Sequence, residues 1–140
     1  MFVDASVIVA VLNREPGWEE LVKQLADGSD ERLVSPLVRF EAVLSLARAM
    51  AGSGGTKPTP KLVVEAGQVV DDFIAEIAAR EIAITDEIGR AAVDAAMRYG
   101  KAVGHPADLN FGDCFAYACA RTLKTKLAYK GNDFALTDLA

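Results

Sequence analysis

The sequence predicts an α/β fold in which a short parallel sheet carries helices on both faces. Three observations lead there. Four short apolar runs, Phe2-Val3, Arg32-Leu33-Val34, Ile82-Ala83-Ile84 and Leu127-Ala128-Tyr129, lack the polar alternation of a half-exposed strand. Segments of helical periodicity separate them, so strand and helix alternate along the chain. Finally, 140 residues, 51% hydrophobic and 25% charged, fit one compact domain, 1–140, with a core large enough to fold without disulfide or structural metal.

Each element has a local reason. Phe2-Val3 ends at Asp4, and Val7 to Leu12 resumes apolar character, which predicts a buried strand turning sharply into a helix with Ser6 placed to cap the turn. Pro16-Gly17 stops this segment. Trp18 to Ala26 reads as an amphipathic helix ended by Asp27-Gly28-Ser29-Asp30. After the second strand, Ser35 offers an N-cap oxygen and Pro36 has the backbone angle wanted at the first helical position. The helix that follows shows an apolar stripe of Leu37, Phe40, Leu44, Ala47 and Ala51. The glycine- and proline-rich stretch 52–60 reads as a mobile surface loop. Lys61 to Arg80 is helical, Ile82 to Ile84 forms the third strand, and Asp86 to Tyr99 is a helix stopped at Gly100. An irregular polar loop, an apolar helix from about Gly112 to Leu123 and the strand at Leu127 complete the chain.

Composition narrows the function. No basic leader and no uncharged apolar run of about 18 residues is present, so the expectation is a cytoplasmic protein without a membrane span. Cys114 and Cys119, five apart in an apolar helix, match neither zinc spacing nor a disulfide framework and read as reduced core residues. A net charge of -5 argues against general coating of nucleic acid. Between Arg98 and Lys130, however, six basic residues face two acidic ones, with Lys124, Lys126 and Lys130 as candidate contacts to a polyanion.

In open parallel sheets, sites form at the carboxyl ends of the strands. Four acids qualify: Asp4 closes the first strand, Glu41 lies in the second turn of the third helix, Asp113 opens the last helix and Asp133 follows the last strand. Each also has a bland explanation. Asp4 interrupts an apolar run, where an ionised carboxylate is costly unless hydrogen bonds, a helix N-terminus or a cation compensates it. Glu41 falls at the edge of the stripe, equally a site or a solvated flank. Asp113 and Asp133 double as dipole partner and turn residue. Asp94 points away from its helix's apolar face, and His105, the only histidine, sits beside Pro106 as a turn residue.

Four carboxylates gathered without a histidine or cysteine partner repel one another until a cation neutralises them, and an all-oxygen site suits Mg²⁺ or Mn²⁺. Such an ion supports phosphodiester hydrolysis, with nearby lysines steering the polyanion.

At these residues the sequence resembles the PIN domain ribonucleases, and within them the VapC toxins of bacterial VapBC toxin-antitoxin pairs. The likeness rests on Phe-Val-Asp-Ala-Ser at 2–6, Glu41 within Arg-Phe-Glu-Ala, Tyr99-Gly100-Lys101, His-Pro-Ala-Asp-Leu-Asn-Phe-Gly-Asp-Cys at 105–114 and Lys-Gly-Asn-Asp-Phe at 130–134. The last two blocks are the more specific. The resemblance implies a PIN-like three-layer sandwich that binds Mg²⁺, with Mn²⁺ able to substitute, and cleaves RNA endonucleolytically. It places the catalytic acids at Asp4, Glu41, Asp113 and Asp133, with metal contact firmest at Asp4 and Asp113 and Ser6 supporting the cluster. It also implies a homodimer, a VapB-like antitoxin and growth arrest on expression. The alternatives are a non-catalytic protein-interaction module of the same fold, whose acids merely satisfy helix termini, and an aspartyl-nucleophile phosphatase. Asp4-Ala5-Ser6 lacks the second acid the phosphatase requires.

Overall fold

The computed structural model describes residues 1–27 and 30–139, so Gly28 and Ser29 of the expected turn lie outside the described residues. Its strands are β1 (Phe2–Val3), β2 (Leu33–Val34), β3 (Arg80–Glu81) and β4 (Leu127–Ala128). The helices are α1 (Ala5–Leu12), α2 (Trp18–Ala26), α3 (Pro36–Ala51), α4 (Pro60–Glu76), α5 (Asp86–Tyr99) and α6 (Phe111–Thr122). The strands form one sheet in the order β3-β2-β1-β4, every pairing parallel, with Phe2 opposite both Leu33 and Leu127. Helices flank this sheet, as the alternation of elements predicts.

The order fixes where a site can form. From β1 the chain steps to β2 and β3, then crosses back to place β4 on the other side of β1. The crevice beyond the carboxyl ends of β1 and β4 is therefore the topological switch point, the place where open parallel sheets bind ligands. Both sides of it are firm. Phe2 and Val3 are fully buried, and the Asp4 N–H still donates to the Ala128 carbonyl at 2.9 Å.

Four expectations are corrected. Asp4, not Ser6, caps α1: its carboxylate accepts from the Ser6 N–H at 2.9 Å, while Ser6 lies inside the first turn. The third strand is Arg80–Glu81 rather than Ile82–Ile84, because the chain leaves α4 early at Ala78, where φ is +50°. The pairing is made by backbone groups, Arg80 N–H to the Arg32 carbonyl and Ile82 N–H to the Val34 carbonyl, each at 2.8 Å. An edge strand keeps its side chains exposed, so its sequence need not be apolar. The buried stripe of α3 is Val38, Ala42, Leu46 and Ala47, whereas Phe40 is 61% exposed. That helix is apolar on most of its circumference, so periodicity alone selects the wrong face. Finally, α4 starts at Pro60, capped by Thr59, and ends at Glu76.

Candidate active site

Asp4 is placed by the hardest constraint in the molecule. It follows two fully buried residues of a central strand, caps α1 and is itself 6% exposed. Ser6 links it to the far wall of the crevice, since the Ser6 hydroxyl accepts from the Lys130 N–H at 3.0 Å. The segment after β4 is held by Phe134, which is fully buried and packs edge-on against Tyr129 with ring centres 5.0 Å apart. Its neighbour Asp133 is thereby turned outward into the crevice.

Asp113 arrives on the first turn of α6. Asn110 and Asp113 form a reciprocal capping box: the Asn110 side chain accepts from the Asp113 N–H at 3.0 Å, and the Asp113 carboxylate accepts from the Asn110 N–H at 2.8 Å. Leu109, 2% exposed, anchors the chain just before it through N–H donation to the Tyr99 carbonyl. Glu41 comes from α3, half-buried, and its carboxylate lies over the backbone of Gly112. A methyl group at position 112 would overlap that carboxylate, so the glycine leaves room for Glu41 to seat its carboxylate over the start of α6.

Asp4, Glu41, Asp113 and Asp133 thus line one open cavity of about 460 Å³, joined by Ser6 and Lys130. Its electrostatics are those of crowded carboxylates short of compensation. Burial pushes Asp4 above the ordinary carboxylate range, against hydrogen bonds from Ser6 and Ala5, and the charge of Asp133 adds to it. Burial, then the charges of Asp4 and Asp113, raises Glu41 to about 7. Asp113 is pushed up to about 6, again first by burial, with Asp4 and Asp133 contributing. A cation or a proton must supply what the protein withholds.

The donor set is all oxygen, which fits a hard divalent cation. Among the described residues no three acidic, histidine or cysteine side chains are gathered into a ready-made ligand cage. Mg²⁺ keeps several waters and needs only one or two direct carboxylates, so such a cage is not a requirement for it.

The remaining sequence candidates separate. Lys130 lines the cavity, but Lys124 and Lys126 precede β4 at the opposite end of the sheet, so the three do not form one patch. Asp94 is exposed and pairs with Arg98, and His105 accepts from the Ala107 N–H at 3.0 Å in a local turn. Cys114 and Cys119 are buried free thiols. Sequence reasoning missed Glu15, Asn110 and Gly112. Asn110 was legible, since Asn-x-x-Asp before an apolar run is a capping signal, whereas Glu15 and Gly112 matter only through tertiary neighbours.

A PIN domain family model matches residues 1–139 of this chain. The chain belongs to the PIN domain family. This PIN domain is 53% identical over 139 residues to a VapC ribonuclease of Rhizobium meliloti (strain 1021), covering 99% of this chain and 98% of the relative. It is 32% identical to ribonuclease VapC of Mycolicibacterium smegmatis, covering 100% and 98%. The crystal structure of Mycobacterium tuberculosis VapC20, described as a sarcin-ricin loop cleaving toxin, superposes with a TM-score of 0.71 at 16% identity, over 99% of this chain and 95% of that one. That likeness establishes the shared fold.

Proposed function

We propose that this PIN domain is the toxin of a type II toxin-antitoxin pair, an endoribonuclease that hydrolyses RNA phosphodiester bonds with Mg²⁺ or Mn²⁺. The observation that carries the reading is the convergence of four carboxylates, three with raised pKa values, at the switch point of a chain half identical to a VapC ribonuclease. Asp4 and Asp113 are the residues that would hold the metal, with Glu41 and Asp133 completing its surroundings. When bound, the ion supplies polarisation of a phosphoryl oxygen and a lower pKa for water.

The chain's own residues do the rest. Asp4 is fixed by strand and helix cap, so its carboxylate needs little reorganisation. Glu41, near neutral pKa, can accept a proton from a water beside it, the property wanted in a general base. Ser6 holds the Asp4 and Lys130 walls in register.

The partners are an RNA strand, a VapB-like antitoxin and a second copy of the chain. Val93 and Phe111, each about 70% exposed along the α5–α6 groove, and Met97, exposed on α5, support the last of these. Residues 1–140 act as one unit in the cytoplasm, and no helix among the described residues is long and apolar enough to cross a membrane. Expression in a bacterial host tests the reading: growth arrest is expected, with loss of RNA integrity, and both are expected to disappear in Asp4→Ala. Arrest that persists in Asp4→Ala with intact RNA would contradict it.

A further inference from the structure

Among the described residues, the cavity that is to receive an RNA strand is lined by five carboxylates, Asp4, Glu15, Glu41, Asp113 and Asp133, and by a single cation, Lys130. A polyanion entering there meets repulsion from every wall but one. Lys130 is also held unusually for a surface lysine. Its N–H is fixed to the Ser6 hydroxyl, and its ammonium donates to Glu15 at 2.6 Å, with its side chain 30% exposed against 84% for Lys126. Glu15 is placed by the turn after α1, where its N–H donates to the Ala10 carbonyl at 2.9 Å and Arg14 takes a positive φ of 49°. Strained backbone at that turn thus points a carboxylate across the crevice to a residue 115 positions away.

The pairing has a chemical purpose. A lysine has three donor hydrogens on a flexible stem, and the four inner carboxylates are competing partners for it. Bound to Glu15, the ammonium stays on the α1 wall, leaves the inner oxygens free, and keeps donors to spare. We infer that Lys130 contacts a phosphate of the RNA strand and that Glu15 is the positioning residue that holds its ammonium there. This rests on the nuclease reading above, which assigns roles to neither side chain's interaction.

Two measurements test it. In an Asp113→Asn background with Mn²⁺, the affinity for a short fluorescent single-stranded RNA is followed across a salt series with and without Lys130→Met. Loss of one phosphate contact lowers the magnitude of the log–log salt slope by about 0.7. Lys130→Arg keeps the slope, and an unchanged slope in Lys130→Met overturns the contact. This arm needs no turnover, so it reads Lys130 even if the wild type cleaves nothing and the nuclease reading fails. Single-turnover cleavage then compares Glu15→Gln, Lys130→Met and the double variant. Glu15→Gln is expected to slow cleavage roughly 10-fold or more and to move the salt slope part of the way towards that of Lys130→Met, because a misplaced ammonium loses both the phosphate contact and the geometry on which the rate depends. The double variant should be no slower than Lys130→Met, the signature of residues acting as a unit. Losses that multiply, or a lower melting temperature with rate and slope kept, would overturn the positioning role of Glu15.

Discussion

Replacing Glu41 by glutamine should stabilise the protein while slowing the proposed RNA cleavage. In the fold the Glu41 carboxyl binds its proton more tightly than in the unfolded chain, with its pKa raised from 4.5 to about 7. Between those values the folded state holds more protons, so stability falls as pH rises. Below pH 4.5 the penalty is absent, and above about pH 7 it is complete. A displacement of that size corresponds to about 3 kcal/mol. Water at the open mouth screens part of it, which leaves about 2 kcal/mol, or roughly 8 °C in melting temperature for a chain of this size. Glutamine keeps the shape over Gly112 and loses only the charge. The assay is thermal unfolding in EDTA across pH 4 to 8, wild type beside Glu41→Gln. The expected curves coincide at the acid end and separate as pH rises, the variant above. A variant no more stable than wild type at pH 8, or separated equally at every pH, would refute the electrostatic account of the cavity.

Mn²⁺ should raise the melting temperature of the wild type, by about 2.7 kcal/mol of stability at a hundredfold excess over Kd, and much less in Asp4→Asn; calorimetric scanning reads the difference. Gly112→Ala should fold with a melting temperature within a few degrees of wild type, since the added methyl meets only the movable end of Glu41, yet lose most RNA cleavage and weaken Mn²⁺ binding. Tyr117 donates to Asp138 at 2.6 Å and so ties α6 to the C-terminal segment; Tyr117→Phe should cost about 1–2 kcal/mol in denaturant unfolding.

Much of this arrangement is legible in the sequence because it depends on local chemistry. Ser35-Pro36 opens α3 and Thr85 opens α5 through side-chain caps, and the boundaries of α2 and α5 follow from turn residues and periodicity. Asp4, Asp113 and Asp133 can be picked out because each stands where a strand end or a helix start must fall in a parallel sheet, and Glu41 because it lies in the second turn of the helix that follows β2. What fails is whatever depends on a partner distant in sequence. The β3 position follows from backbone pairing with β2 at the sheet's edge, where side chains carry no burial signal. The buried face of α3 follows from α1, α4 and α6 packing around it, and an apolar circumference hides that choice. The seat of Glu41 on Gly112 and the reach of Glu15 to Lys130 join residues about 70 and 115 positions apart, which no window of periodicity spans. The apparent basic cluster of Lys124, Lys126 and Lys130 is near in sequence but divided by the strand that runs through it.

The most direct test of the central claim is cleavage of a mixed RNA pool by purified protein with Mn²⁺ or with EDTA, beside Asp113→Asn prepared identically. Cleavage by the wild type with Mn²⁺ alone, and by the variant under neither condition, is the predicted result. Equal cleavage by both proteins, or cleavage that persists in EDTA, would contradict the assignment of the chemistry to the acidic cavity.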